Sequence, residues 1–337
     1  MSDFVPNVVN SFQGSFGPPT VGHFHAMLLS AKEQLTDYPD KNILMLFMPA
    51  HKSSSKPHLE PTYNVRIALL EEYCKILQRM FLKERRIKFE VSRIESETGN
   101  SATIFTIEKL KSHYSQAVIN LTMGIDNMFE LPYWTRISEY KVKLGKIYVT
   151  ERELTADELS SVEIINIKVK EVHLPIPIKT GRPTWYKDDI KSKDEIAGLE
   201  LPEIEMLEKP IPTSSTLLRC ALKQHTISPT DLDTDLDIKN MIIKLSFPKQ
   251  WNFTENPPMY NKIPLEDIDS LFEDPILKNI LVFYELIKDM IPAFKCGNYH
   301  NDSRKLIMYG GKYKKINRKK PRKTKRIYKR KKNSKKK

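Results

Sequence analysis

A short Gly- and Ser-containing turn near the start of the chain has the composition of a phosphate-binding loop. The segment from Gly14 to His23 reads GSFGPPTVGH. It lies between an apolar run at 4–12, which predicts a strand, and a stretch of helical apolar spacing at 24–35. A turn between a strand and a helix presents backbone N–H groups and the positive end of the helix dipole, and both attract phosphate. His23 adds a side-chain donor near the same point.

A second segment, rich in Ser and Thr, is suited to hold the same anion. Residues 212–219 read PTSSTLLR and open a predicted helix over 213–223. Ser and Thr are favoured at helix N-termini, where their hydroxyls lie beside free backbone N–H groups. The guanidinium of Arg219 has a fork geometry that suits a phosphate group. Two such junctions around one phosphate ligand would hold it in place and stabilise its charge.

These two segments resemble the signatures of the nucleotidyltransferases of the (H/T)-x-G-H superfamily, G-x-F-x-P-x-(H/T)-x-G-H and I-S-S-T-x-x-R. Two further stretches are similar to its nicotinamide or nicotinate mononucleotide adenylyltransferase branch. Gly124-Ile125-Asp126 followed by Trp134 resembles a G-x-D…W segment, and the SATIFTI of residues 101–107 resembles the start of an S-Y-T-x-x-T-L helix. The four segments occur in the family's order across residues 12–224, about two thirds of the chain.

Four positions depart from the family pattern. Gly17 stands where Asp or Asn is usual, and Thr20 replaces the first His of H-x-G-H, which leaves His23 as the motif's one imidazole. Pro212-Thr213 replaces the Ile before S-S-T, and Ile94, beside Glu95, stands where eukaryotic members carry a second Trp. The last departure predicts a pyridine pocket of different composition.

The resemblance implies an enzyme, a nucleotidyltransferase that moves the adenylyl group of ATP onto nicotinamide or nicotinate mononucleotide and releases pyrophosphate. Mg²⁺ bound to ATP is the implied cofactor, and no metal site of the protein's own is predicted. The implied catalytic residues are His23, Arg219 and Thr20. The implied ATP-binding residues are Gly14, Ser15, Phe16, Gly22, His23, Gly124, Asp126, Ser214, Ser215, Thr216 and Arg219. The implied mononucleotide-binding residues are Ser15, Phe16, Lys56, Arg66, Thr103, Trp134 and Arg152, with Trp134 stacking on the pyridine ring.

Other interpretations stay open at this point. The chain is also compatible with another (H/T)-x-G-H nucleotidyltransferase, of the phosphopantetheine or cytidylyl-transfer type, although Trp134 and the segment at 101–107 argue against it. A protein that binds nucleic acid without catalysis is a further alternative, supported by a basic C-terminal tail. The alternative for Asp126 is the cap of a short helix, and the alternative for Lys56, Arg66 and Arg152 is a solvated surface charge.

The elements that position these residues alternate between strands and helices. Apolar runs predict strands over 42–48, 88–91, 117–123, 146–150 and 165–174, with helices over 63–81 and 104–113 between them. This alternation predicts an α/β fold with a doubly wound parallel sheet, a Rossmann-like nucleotidyltransferase fold. Such sheets bind ligands at the carboxyl ends of their strands, and the segments at Gly14, Gly124 and Arg152 all follow predicted strands.

Charge divides the chain unevenly. From Arg304 onward there are 19 Lys and Arg and no acid, whereas the preceding 303 residues hold 36 Lys and Arg against 42 Asp and Glu. We therefore predict a nucleotidyltransferase domain over 1–225, in which 175–211 is an insertion or loop. This domain is followed by a helical extension over 226–303, with helices at 238–246 and 275–291. A disordered basic tail is predicted over 304–337.

Composition also bounds the partners and the location. The three Cys residues are too few for a disulfide framework, and no signal peptide or membrane-length apolar run is visible. The chain is therefore expected to be intracellular, either cytoplasmic or nuclear, since the basic tail resembles a nuclear signal. The expected partners are the small-molecule substrates, with non-specific contact to nucleic acid or acidic surfaces through the tail, no membrane, and possible homo-oligomers.

Overall fold

The computed structural model describes residues 4–51, 62–98, 102–151, 160–179, 192–211, 213, 215, 218, 219 and 244–261. The chain divides into two units, residues 1–297 and 298–337, and every described residue lies in the first. The predicted helix at 275–291, the basic tail and most of the predicted helices at 213–223 and 238–246 lie outside the described residues. The division into three predicted parts therefore stays a prediction.

Eleven strands occur in the described residues. The first five are β1 (Val8–Gly14), β2 (Ile43–Pro49), β3 (Ile87–Val91), β4 (Val118–Gly124) and β5 (Lys146–Thr150). The next four are β6 (Val162–Val169), β7 (Val172–Lys179), β8 (Glu200–Leu201) and β9 (Glu203–Leu207), and a small hairpin of β10 (Trp251–Asn252) and β11 (Met259–Tyr260) comes last. Every residue of β2 is buried, as expected of a parallel strand that is covered on both faces.

Helices pack on the sheet through apolar faces. They are α1 (Val21–Asp37), α2 (Tyr63–Met80), α3 (Ile94–Thr98), α4 (Thr103–His113), α5 (Ile125–Met128), α6 (Tyr140–Lys143) and α7 (Lys193–Ala197). In α1 the buried face includes Phe24, Met27, Leu28 and Ala31, the spacing of one helical face. None of the helices described here is both long and apolar enough to cross a bilayer.

The central sheet confirms the predicted doubly wound fold. Its six strands are parallel and lie in the order β3-β2-β1-β4-β5-β9. From β1 the chain moves outward through β2 and β3, and then returns to place β4 on the other side of β1. The carboxyl ends of β1 and β4 therefore form the switch point at which such sheets bind ligands.

The structure differs from the prediction after β5. One strand was expected over 165–174, but the chain there forms an antiparallel hairpin of β6 and β7, which joins β8 in a separate three-stranded sheet. The hairpin turns at Lys170, which adopts a φ of 52°. Hairpin turns with positive φ are usually marked by Gly or Asn, so a Lys at this position does not predict the turn. The sixth central strand is instead β9, inside the segment expected to be an insertion or loop.

Candidate nucleotide-binding site

The loop between β1 and α1 is held by an aromatic anchor beneath it. Phe16 has a φ of 44°, and its side chain is fully buried. The ring packs edge-on against Phe12, Phe47 and His23, with centroids 5.4, 5.7 and 5.1 Å away. A Cβ on Gly14 would lie 3.0 Å from Phe16 Cζ, so a side chain there would press against the ring. The left-handed backbone costs about 1–3 kcal/mol, which the buried ring offsets.

The second junction docks directly onto this loop. Gly22 N–H donates to Thr213 Oγ1 over 2.9 Å, and Ser215 Oγ donates to the carbonyl oxygen of Pro18 over 2.7 Å. The guanidinium of Arg219 donates to the carbonyl oxygen of Gly17. The two segments that the sequence singles out, about two hundred residues apart, therefore lie side by side.

Close packing explains why the loop ends in glycine before His23. A Cβ on Gly22 would lie 2.3 Å from Thr213 Oγ1 and 2.8 Å from the carbonyl oxygen of Ile211. The second contact is with backbone, which cannot rotate away. Gly22 is thus a position at which the contact between the two junctions leaves no room for a side chain.

The hydrogen bonds of His23 fix which ring nitrogen carries the proton. Its Nδ1 accepts from the backbone N–H of Thr20 over 3.0 Å and lies 2.9 Å from Thr20 Oγ1. A backbone N–H can only donate, so we assign Nδ1 as unprotonated and the proton to Nε2. The ring thereby has an N–H on its other side, suited to donate to a phosphate oxygen.

Arg66 holds the loop from the opposite side. Its side chain projects from α2, is fully buried, and donates to the carbonyl oxygen of Ser15 over 2.7 Å. Burial lowers its pKa to about 10, so the guanidinium stays charged at neutral pH. The carbonyl oxygens of Ser15, Gly17 and Pro18 are all occupied by side chains from elsewhere in the chain. Two guanidinium groups consequently flank the loop.

The sequence analysis assigned His25 to no site, but the structure gives this residue specific contacts. Its Nδ1 accepts from the backbone N–H of Ile211 over 3.0 Å, and its ring centroid lies 5.2 Å from that of Phe253. Burial, with a smaller contribution from Lys32, lowers its pKa to about 4, so the ring is neutral. The bond ties α1 to the segment that leads into the second junction.

The neighbouring strand supplies the next predicted residues. Gly124 ends β4 and Asp126 lies in the first turn of α5, beside the end of β1. A Cβ on Gly124 would lie 2.6 Å from Asp126 Oδ1. The carboxylate therefore folds back over the strand end at the switch point.

The structure places Thr103 and Trp134 against a shared neighbour, Tyr140. Thr103 opens α4, and its side chain interacts with Tyr140. The half-buried ring of Trp134 lies edge-on to Tyr140, with centroids 5.9 Å apart. Four other predicted site residues, Lys56, Arg152, Ser214 and Thr216, lie outside the described residues.

A buried carboxyl group lies near these residues. Glu95 in α3 is 5% exposed, and its Oε1 accepts from Thr106 Oγ1 of α4 over 3.0 Å. Burial raises its pKa to about 7, against a smaller opposing effect of the Thr106 hydroxyl. No motif marked Glu95, because its burial depends on the packing of α3 on α4.

Several curated proteins are similar to this chain. One from Chlorobium phaeobacteroides, named as a probable nicotinate-nucleotide adenylyltransferase, is 30% identical over 188 residues, which cover 52% of this chain and 89% of the relative. Proteins of the same name from Aliarcobacter butzleri and Aquifex aeolicus are 29% and 28% identical, covering 55% and 42% of this chain and 95% and 76% of the relatives. No protein-family model matches the chain.

Solved structures of a Plasmodium falciparum nicotinic acid mononucleotide adenylyltransferase are more distant. The complexes with NaAD and with APC are 14% and 13% identical to this chain, with TM-scores of 0.40 and 0.39. Each covers 72% of this chain and 92% of the solved chain. The curated sequences are thus the closer match of the two.

Proposed function

Because this chain belongs to the nicotinate-nucleotide adenylyltransferase family, we propose that it transfers the adenylyl group of ATP to nicotinate mononucleotide in the synthesis of NAD. A phosphate oxygen of the mononucleotide attacks the α-phosphorus of ATP and forms a new P–O bond. The bond from that phosphorus to the bridging oxygen breaks, and pyrophosphate leaves. Nicotinate is preferred over nicotinamide in this proposal because the similar curated proteins carry the nicotinate name.

The observation that carries the proposal is the contact between the two junctions. Ser215 and Arg219 bond to the loop that contains Gly17 and Pro18, next to the N-terminus of α1. Helix N-termini, guanidinium groups and an imidazole N–H all stabilise phosphate charge. Such a site needs no protein nucleophile, because the attacking phosphate is already an anion.

The residues around the loop have distinct roles in this proposal. His23 Nε2–H donates to an ATP phosphate as charge develops, and Arg219 grips the triphosphate. The hydroxyl of Ser15 and the backbone of Gly14 and Phe16 line the phosphates, since the Phe16 ring is buried. Mg²⁺ arrives with ATP, held by phosphate oxygens and water. Asp126 accepts from the adenosine ribose.

The acceptor pocket is proposed around the second half of the sheet. Trp134 stacks on the pyridine ring with its exposed part, and Thr103 lies beside it through their common neighbour Tyr140. Arg66, which is engaged with Ser15, acts on the mononucleotide phosphate through the loop.

A pyrophosphate-release assay tests the proposal. The protein is supplied with ATP, Mg²⁺ and either nicotinate or nicotinamide mononucleotide, and both dinucleotide and pyrophosphate are measured. We expect stoichiometric products with the nicotinate form and a lower kcat/KM with the amide. Faster turnover of the amide would reverse the acceptor assignment, and release with neither mononucleotide would overturn the function.

A further inference from the structure

Two threonines, one at the (H/T) position of the first signature and one in place of the Ile of the second, contact each other at the site. Thr20 stands where the first His of H-x-G-H is usual, and Thr213 stands where Ile precedes S-S-T. Their hydroxyl oxygens are 2.7 Å apart, although the residues are 193 positions apart in the chain. Thr20 is fully buried. A hydroxyl in place of Ile at 213 therefore has a specific partner.

The direction of these hydrogen bonds follows from the groups at the two ends. His23 Nδ1 accepts from the Thr20 backbone N–H, so it carries no proton to give to the Thr20 hydroxyl 2.9 Å away. We assign the Thr20 hydroxyl as a second donor to the Nδ1 lone pair, so that its oxygen accepts from the Thr213 hydroxyl. Thr213 Oγ1 accepts in turn from Gly22 N–H over 2.9 Å. The result is one chain of donors from Gly22 through Thr213 and Thr20 to His23.

We propose that Thr213 is a positioning residue that holds the orientation of the His23 imidazole by acting through the Thr20 hydroxyl. The inference rests on the proposed function of His23 as a donor to phosphate. In this proposal Thr213 acts on the ring through Thr20 and not on the substrate. It makes the second junction part of the support of the ring, so docking of that junction and readiness of the imidazole are coupled.

The test compares Thr213→Val, which keeps the shape and removes the hydroxyl, with Thr213→Ser, which keeps the hydroxyl. Thr36→Val is the matched control, since this exposed Thr on α1 bonds only locally to the Lys32 carbonyl oxygen. Each full-length protein is examined for kcat, for KM of ATP, and for the ring ¹⁵N signals of His23, which distinguish the two tautomers. Thr213→Ala serves in place of Thr213→Val if the valine variant does not fold.

We expect Thr213→Val to lower kcat about tenfold, because the Gly22 N–H loses its acceptor and the Thr20 oxygen loses its donor, at a cost on the order of one or two kcal/mol. KM for ATP should change less than kcat. The His23 ring should keep its Nε2–H form, because the Thr20 backbone N–H still donates to Nδ1, but its ring ¹⁵N signals should shift as the ring changes orientation. Thr213→Ser should restore both readouts, and Thr36→Val should match the parent protein.

Three results would overturn the inference. They are a parent protein with Nδ1 protonated, a Thr213→Val protein with parent kcat and parent ring signals, or a Thr213→Ser protein as impaired as Thr213→Val. The ring signals are read without turnover. A parent protein that makes no dinucleotide but shows the Nε2–H form would therefore refute the proposed function and leave the hydrogen-bond chain standing.

Discussion

Single side chains decide what the β1–α1 loop is able to bind. Its carbonyl oxygens at Ser15, Gly17 and Pro18 are all taken by donors from other segments. A carbonyl oxygen that points toward such a donor does not point toward a bound phosphate, whose negative charge would repel it. The loop is consequently prepared for an anion before any ligand arrives, and this preorganisation is the main catalytic contribution expected of the site.

Replacement of His23 tests the donor role at this scale. His23→Ala should lower kcat by about 10²–10³, the usual effect of removing one preorganised donor, with a smaller change in KM for ATP. Steady-state kinetics measure both constants. His113→Ala is the control, because His113 is exposed at the end of α4. Parent-like turnover by a folded His23→Ala protein would remove His23 from the mechanism.

Gly22 tests the contact between the two junctions. Gly22→Ala places a Cβ 2.8 Å from the Ile211 carbonyl oxygen, so the segments must separate, at a cost of about 1–3 kcal/mol in stability and with loss of turnover. Gly198→Ala is the control, since its nearest neighbour would be 3.3 Å away. Urea unfolding measures both, and equal stabilities would show that the contact is not close in solution.

At the scale of elements, α1 is the helix on which the site depends. It presents His23 to the loop, packs Phe24 and Met27 on the sheet, and holds the approach to the second junction through His25 and Ile211. Rigid attachment of both junctions to one helix keeps their spacing fixed. Buried titratable groups at such attachments make the stability of the site depend on pH.

His25 predicts an acid-sensitive attachment of α1. Its pKa is about 4 in the folded protein and 6.5 in the unfolded chain, so only the unfolded chain binds a proton between these values. The free energy of unfolding should therefore fall as the pH drops from 6.5 to 4, by up to about 3 kcal/mol. His25→Gln, which can still accept from Ile211, should lose this slope in urea titrations at several pH values. An unchanged slope would contradict the assignment.

Glu95 predicts the opposite trend where α3 packs on α4. Burial raises its pKa from 4.5 to about 7, so its contribution to stability is present below pH 4.5 and is lost as the pH rises through 7. Glu95→Gln should therefore stabilise the protein at pH 8 by up to about 3 kcal/mol, and little at pH 4. The control is Glu97→Gln on the same helix, whose side chain is 50% exposed. A gain in stability that does not depend on pH would exclude the buried Glu95 carboxyl group as its cause.

At the scale of the whole molecule, positive charge is concentrated in the basic tail, and the rest of the chain is mildly acidic. The chain carries a net charge of +13, yet the residues before Arg304 hold 42 acids and 36 bases. Phosphate substrates must therefore enter through local positive charge at the loop, such as Arg66 and Arg219, rather than through the field of the whole body. Attraction to nucleic acid is predicted to depend on the tail alone.

Deletion of residues 304–337 separates these two contributions. The shortened protein should keep its kcat and KM, because the residues proposed to act on substrates all precede the cut. Its affinity for DNA, and the dependence of that affinity on salt, should be lost. Pyrophosphate release and DNA binding at two salt concentrations measure the outcome. A large fall in kcat would assign the tail to the enzyme, and DNA binding that persists would place that surface on the body.

The sequence by itself determined the α/β class, most strand and helix positions in the first half, and the two junctions. These features depend on local properties: apolar spacing, glycine where the turn is tight, and Ser or Thr at a helix start. The sequence did not predict the hairpin at Lys170, because a turn without Gly or Asn leaves little local pattern. It also did not predict that β9 joins the central sheet, because a short edge strand leaves little local pattern.

Only the tertiary structure decided how the predicted residues meet. Gly22 and Thr213 are 191 residues apart, and neither residue type indicates that they bond. The burial of Arg66 against Ser15, of His25 against Ile211 and of Glu95 against Thr106 likewise depends on which elements pack together. Local backbone preference and burial pattern can be inferred from each segment of the sequence. Hydrogen bonds between distant segments are set by the packing of helices on the sheet, which no single segment contains.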